Sequence, residues 1–339
     1  MAERVYLDHA ATSPLRPEAK AGQEEGFRLW ANPSSPHAEG RKARAALEDA
    51  RERIKAALGL GQGSKSYELI FTSGASEALG IALNRAKAKR RIVSAVEHDA
   101  VFRAAPDAAI FTGDEPLGPD TLLAIQHCNS ETGTINPVSD MAAAMQEAGA
   151  LLLSDCAQSA GKLALPAADM VVISAHKFGG PIGIGALLVR DFNLLEPSGG
   201  HERGYRQGTE NLPGALGMAA ALAAGGTESW ASTEAERLAF RDALAGAGAL
   251  IAPGEQASHI IAVAHPSISA QALLIRLDAM GFAVSAGSAC SSGTLKKSRV
   301  LDAFGVADDV AARTIRVSLG WSTTPADLER FAAAWASLC

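Results

Sequence analysis

Short apolar runs alternate with alanine-rich amphipathic stretches as far as about residue 230, and nothing else in the chain limits its fold so strongly. YELIFT (67–72), RIVSAVEH (91–98), TLLAIQHC (121–128), LLLSDC (151–156) and MVVI (170–173) read as strands. Between them AEGRKARAALEDARERIKAALG (38–59), SEALGIALNRA (76–86) and MAAAMQEAGA (141–150) read as helices. In the first of these Ala46, Leu47, Ala50, Ile54 and Leu58 lie near one face, and Gly59, Gly61 and Gly63 end it. Strands separated by helices of this length imply βαβ units and an α/β fold with a parallel sheet covered by helices. Beyond residue 230 the pattern changes. ERLAFRDALAGAG (236–248) and AQALLIRLDAMG (270–281) read as helices around the strand SHIIAVAH (258–265), and TIRVSLG (314–320) as a late strand. These form a second, smaller α+β domain.

Composition excludes several functions. The net charge of −6 argues against a general nucleic-acid binder. The opening MAERVYLDHAATSP lacks a signal-peptide core, and no apolar run approaches a membrane span. Cys128, Cys156, Cys290 and Cys339 form no CxxC pair and no metal-ligand cluster, a pattern suited to individual thiols in a reducing cytoplasm.

Ligands of parallel α/β sheets sit beyond the carboxyl ends of the strands. After YELIFT comes Ser73-Gly74-Ala75-Ser76-Glu77, leading into a helix; its N–H groups and hydroxyls suit an anion, or serve only to cap the helix. No GK[ST] follows, which argues against a nucleoside triphosphate. RIVSAVE leads to His98, LLLS to Asp155 and Gln158, and MVVI to Ser174, His176 and Lys177. Lys177 stands in the glycine-rich turn of DMVVISAHKFGGPIGIGALLVR (169–190), where it is either a surface residue or a partly desolvated amine. Desolvation lowers a lysine pKa, and a neutral lysine forms Schiff bases with carbonyl compounds. Taken singly each residue has an ordinary structural explanation. Together, an anion turn, an imidazole, an acid and a lysine at four strand ends suit pyridoxal 5'-phosphate.

The same residues sit in a longer series: YLDHAATSP, NPSSPHAEGRKAR, FTSGASEA, VEHDAV, NSETGTINPV, DCAQSAGK, SAHKFGGPIGIGAL, GGHERGYRQGTEN, SAGSACSSG and TIRVSLG. In this order the chain resembles the cysteine desulfurases of the class V aminotransferase family, in the iron–sulfur-cluster and nitrogen-fixation type with a long catalytic loop. The resemblance implies a fold-type I pyridoxal-phosphate enzyme. Residues 14–233 would form a large domain on a mostly parallel seven-stranded sheet. Residues 1–13 and 234–339 would form a small domain carrying the catalytic-cysteine loop. It further implies that Lys177 holds the cofactor through an imine and acts as base at the substrate α-carbon. Asp155 would pair with the ring nitrogen and Gln158 with the ring hydroxyl. Ala75, Ser76, Ser174 and His176 would hold the phosphate, and His98 would stack on the ring and transfer protons. Thr209 would reach the phosphate of a neighbouring subunit, which implies a homodimer. Arg316 would clamp the carboxylate of L-cysteine, a task its planar fork suits.

Cys290 lies among small polar residues, with Lys296 and Lys297 close in sequence, as a reactive thiol would. The resemblance makes it the nucleophile that takes sulfur from L-cysteine, leaves alanine, and passes a persulfide to an iron–sulfur scaffold or a tRNA-thiolation enzyme. Three departures stand out. Ser130 replaces an asparagine expected to contact cofactor and substrate, residues 191–198 are short, and little chain follows TIRVSLG, where a scaffold-docking tail is expected. Selenocysteine lyases and aminotransferases share the fold, and an inactive regulatory homologue or a redox-sensing Cys290 are the readings from other classes.

Overall fold

A computed structural model describes residues 4–60, 66–287 and 298–339. The chain divides into two compact units, a larger one of Pro14–His127 with Pro137–Gly226 and a smaller one of Met1–Ser13, Cys128–Asn136 and Thr227–Cys339.

Strand β1 (Val5–Tyr6) belongs to the smaller unit. The larger unit is built on β2 (Glu68–Thr72), β3 (Arg90–Ser94), β4 (Ala109–Phe111), β5 (Thr121–Ala124), β6 (Leu151–Asp155), β7 (Met170–Ser174) and β8 (Gly185–Val189). They make one seven-stranded sheet in the order β2-β8-β7-β6-β5-β3-β4. The β3–β4, β3–β5, β5–β6 and β6–β7 pairs are parallel, whereas β8 runs antiparallel to both β7 and β2. The strand ends after Thr72, Ser94, Asp155 and Ser174 therefore all face one edge.

Alternation along each strand divides the core between the two faces. Leu69, Phe71, Val171 and Ile173 pack with α1 (Pro17–Leu29), α2 (Ala38–Ala57), α5 (Val138–Glu147) and α6 (Leu212–Ala223). Ile70, Met170 and Val172 pack with α3 (Ala75–Arg85) and α4 (Asp99–Ala104). Helix α2 ends at Ala57 with Leu58 as C-cap, and Gly59, the first of the three glycines, follows at φ +70° in the left-handed conformation that terminates helices. Helix α6 has no polar face to betray it: Leu212 and nearly every residue from Gly214 to Leu222 is buried. It packs on α1 through glycines, and a Cβ at Gly22 would lie 2.8 Å from the Leu216 carbonyl oxygen.

In the smaller unit β10 (Ile260–Ala264) pairs antiparallel with β9 (Ala249–Leu250) and β12 (Thr314–Ser318), and β1 pairs parallel with β11 (Phe282–Ala283). Helices α7 (Glu234–Ala245), α8 (Ala270–Ala279), α9 (Arg299–Ala303), α10 (Asp308–Ala311) and α11 (Pro325–Leu338) complete it. Its core includes Leu7, Phe240, Leu273, Val263, Ile315, Phe331 and Trp335. Capping boxes at Thr233/Glu236 and Thr324/Asp327 set the starts of α7 and α11. Among the described residues no helix is long and apolar enough to cross a membrane.

Candidate active site

Asp155 ends β6 and is 8% exposed, with its Oδ1 accepting the Ala157 N–H at 2.9 Å. Burial raises its pKa above the usual carboxylate range, opposed by the Ala157 hydrogen bond and by the nearby charges of His98 and Lys177. Gln158 follows in the same turn and is also buried. Lys177 closes a single 3-10 turn, Ala175–Lys177, directly after β7, and is half-buried. Ser174, the last residue of β7, is buried beneath it in sequence, and His176 is half-buried. Burial, then the positive charges of Lys177 and Lys162, lower the His176 pKa to about 4. That imidazole is neutral at physiological pH.

His98 is the N-cap of α4, and its Nδ1 accepts the Ala100 N–H at 3.2 Å. In the neutral ring this places the proton on Nε2. More than a third of the residue is open to solvent. Enough protein surrounds the ring for desolvation to lower its pKa; Asp155 opposes that shift and Lys177 adds to it. His98, Asp155 and Lys177 thus share one electrostatic neighbourhood in the larger unit.

In the turn after β2 the Ser73 N–H donates to the Glu77 carboxylate. Gly74 is the N-cap of α3 and supplies no side-chain cap, Ser76 is exposed and Ala75 is half-buried, so the first-turn N–H groups are suited to an anion. A Cβ added at Gly74 would meet only the Ser174 Oγ, at 3.7 Å, so the two strand ends adjoin with space between them. The GGHERG loop is tied to this helix by Arg206, whose Nε donates to Glu77 at 3.2 Å. Thr209, farther along the loop, is exposed.

That loop is held by a buried ion pair the sequence did not announce. Glu202 and Arg203 adopt φ of 49° and 55°, a costly conformation for residues other than glycine. The Glu202 carboxylate accepts Arg51 Nη1 at 2.9 Å, Arg51 Nη2 at 3.2 Å and the Phe71 N–H at 2.8 Å, and both side chains are almost wholly buried. Glu202→Ala removes the buried partner of Arg51, leaving it the half-exposed Glu48 and the Leu69 carbonyl, and strips the Phe71 N–H of its acceptor, so about 3 kcal/mol of stability should be lost, measured as a lower denaturant midpoint.

The smaller unit holds Arg316 on β12, 6% exposed. Its Nη2 donates to Asp8 Oδ1 and its Nη1 to the Ser130 carbonyl, each at 2.8 Å. The contact to residue 130 runs through the main chain, so the serine that replaces the expected asparagine does not alter it. Asp8 was not among the residues sequence reasoning singled out; its motif was visible, but nothing in spacing ties position 8 to position 316. Cys290, with Lys296 and Lys297, lies outside the described residues. Cys128 and Cys156 are buried, and Cys339 is exposed.

The family model described as "Aminotransferase class-V" matches residues 5–115 and 117–331. "Cysteine desulfurase IscS" of Dictyoglomus turgidum is 34% identical, over 97% of this chain and 92% of its own length. Among solved structures, "NifS-like protein" superposes with a TM-score of 0.83 at 29% identity, covering 99% of each chain. "SspA in complex with cysteine" does so with a TM-score of 0.79 at 28% identity, covering 94% of this chain and 100% of that one. With this extent of matching, over a seven-stranded sheet whose strand ends carry Asp155 and Lys177, the chain belongs to the aminotransferase class-V family, among relatives named cysteine desulfurase.

Proposed function

We infer that this chain is a pyridoxal-phosphate-dependent cysteine desulfurase, converting L-cysteine to L-alanine and a persulfide on Cys290. The observation that carries the reading is the buried Asp155 carboxyl in the electrostatic neighbourhood of Lys177 and His98, at the ends of parallel strands. These residues fit pyridoxal 5'-phosphate. A buried carboxyl whose ionised form is disfavoured gains a partner in a protonated ring nitrogen. The uncapped start of α3, with Ala75, Ser76, Ser174 and His176, suits a phosphate, and Gln158 suits a ring hydroxyl. When bound, the cofactor supplies an electron sink for the substrate α-carbon.

The chain's own groups do the rest. The Lys177 amine holds the cofactor and takes the α-proton at Nζ. His98 would lie against the ring of the bound cofactor and move protons at Nε2. Asp155 would pair with the ring nitrogen of the bound cofactor and keep its charge there. Arg316, aligned by Asp8 and the Ser130 carbonyl, takes the substrate carboxylate. The Cys290 thiolate attacks the substrate sulfur. A sulfur–sulfur bond forms, the carbon–sulfur bond breaks, and its electron pair stays with the carbon fragment, which is protonated and leaves as alanine. Thr209, exposed on the loop beside α3, reaches the phosphate site of a second copy in a homodimer. The persulfide then passes, in the cytoplasm, to an iron–sulfur scaffold or a tRNA-thiolation protein.

Incubating the protein with L-cysteine should yield alanine and a Cys290 peptide heavier by one sulfur. Cys290→Ser should retain the visible absorbance of bound cofactor and form neither alanine nor persulfide. Transfer of the amino group to a keto acid, without alanine, would instead make the chain an aminotransferase.

A further inference from the structure

The turn at residues 129–132 is tied more tightly than a connection needs. Asn129 is fully buried, and its Oδ1 accepts the Glu131 and Thr132 N–H groups, each at 2.9 Å, and the Thr132 hydroxyl at 3.2 Å. Three donors on one oxygen fix the directions in which residues 130 and 131 leave the turn. Ser130 gives its carbonyl to Arg316. Glu131 gives its carboxylate to Ser298, whose hydroxyl donates to Oε2 at 2.6 Å. A hydroxyl on a carboxylate at this length is a strong, charge-assisted bond. Ser298 also caps α9, its Oγ accepting the Leu301 N–H at 3.1 Å.

The same carboxylate has a second neighbour. Its Oε2 lies over Gly287 so closely that a Cβ at that position would overlap it. Gly287 and Ser298 are the described residues on either side of 288–297, which contains Cys290. One carboxylate therefore touches both flanks, and it stands on the turn that also presents a carbonyl to the substrate-clamping arginine. A helix cap alone does not call for this arrangement, because Ser298 caps α9 with or without Glu131.

We propose that Glu131 is a positioning residue for the nucleophilic thiol, clasping Gly287 and Ser298 so that the two flanks of the Cys290 segment are held at fixed points. The assignment rests on the reading of Cys290 as nucleophile given above. It explains why position 287 is glycine although its backbone does not need one: any side chain would evict the carboxylate.

The test uses the holoenzyme and two readouts. Rapid mixing with L-cysteine gives the rate of persulfide formation on Cys290, by mass. Iodoacetamide without substrate gives the intrinsic accessibility of the same thiol. In Glu131→Ala, persulfide formation should slow by about ten- to a hundredfold, the range that misplacement of a reacting group costs. KM for L-cysteine should change less than about twofold, while Cys290 alkylation becomes faster. Gly287→Ala alters neither partner of the hydrogen bond, yet should act in the same direction by displacing the carboxylate. Glu131→Gln keeps an acceptor for the Ser298 hydroxyl and should recover most of the rate. Wild-type persulfide rates and alkylation in both Glu131→Ala and Gly287→Ala would overturn the clasp. So would a loss that appears in KM rather than in the persulfide rate. Turnover surviving in Cys290→Ser would remove the nucleophile reading itself, a separate failure that takes the clasp with it.

Discussion

Lys177→Ala is expected to reduce alanine formation from L-cysteine by about 10⁴-fold, the upper range for a positioned acid–base side chain. The same variant should lose the label that borohydride fixes on this residue. Both effects follow from its place. Lys177 closes the turn that leaves β7, half-buried, in the field of Asp155 and His98. In the proposed reaction the amine both holds the cofactor and moves the α-proton, and among the described residues no other lysine directly follows a strand of this sheet. Lys162 is buried and bears on His176 rather than on the acid at position 155. Borohydride label recovered on the wild-type peptide containing residue 177, with none in the variant, checks the assignment directly.

Asp155→Ala is expected to reduce turnover by about 10²–10³-fold, as removal of a preorganised electrostatic partner does. The conservative Asp155→Asn separates the acid's charge from its place in the fold. A carboxyl whose folded pKa is raised holds its proton more tightly folded than unfolded. It therefore subtracts stability once pH exceeds the unfolded pKa of about 3.9, and ceases to do so below it. With the cofactor removed, Asp155→Asn should melt above the wild type at pH 7, and the gap should close as pH falls toward 4. With the cofactor present the order should reverse, because a cationic ring nitrogen restores the value of the charge. Identical melting of the two cofactor-free proteins across that pH range would refute the account.

The sheet was legible because its strands are buried on both faces and so appear as uninterrupted apolar runs, as in MVVI and LLLS. Helix α2 was legible from its one-sided pattern. Helix α6 was not, since burial all round erases periodicity, and α1 carries only two buried residues, Ala19 and Gly26. Strands β3 and β5 stop short of the ends of the apolar runs that announced them, because their mutual pairing ends at Val93 and Ala124, while Ile125 and His127 still donate to the Leu153 and Asp155 carbonyls. Glu97 shows what takes over: its Oε1 accepts the Gln126 N–H at 2.5 Å, joining the two departing segments. Of the candidate site, strand-end chemistry marked His98, Asp155 and Lys177. Contacts between remote positions stayed hidden: Asp8 with Arg316, Arg51 with Glu202, and Glu131 with Ser298 are pairings that only folding creates.

The reversed strand β8 has a consequence for how such a chain can vary in length. It is threaded between β7 and β2, with Gly185 opposite both Ser174 and Thr72. A Cβ at Gly185 would lie 2.6 Å from the Ile173 carbonyl oxygen and 2.7 Å from Gly74 Cα, so the threading is tight at its entry. Adding or deleting one residue between 178 and 184 would slide β8 by a step and send Leu187 and Leu188 to opposite faces of the sheet. Two ladders would have to break together to absorb it. Past Val189 no such double constraint applies, which makes the stretch from 191 onward the natural place for relatives to grow or shrink.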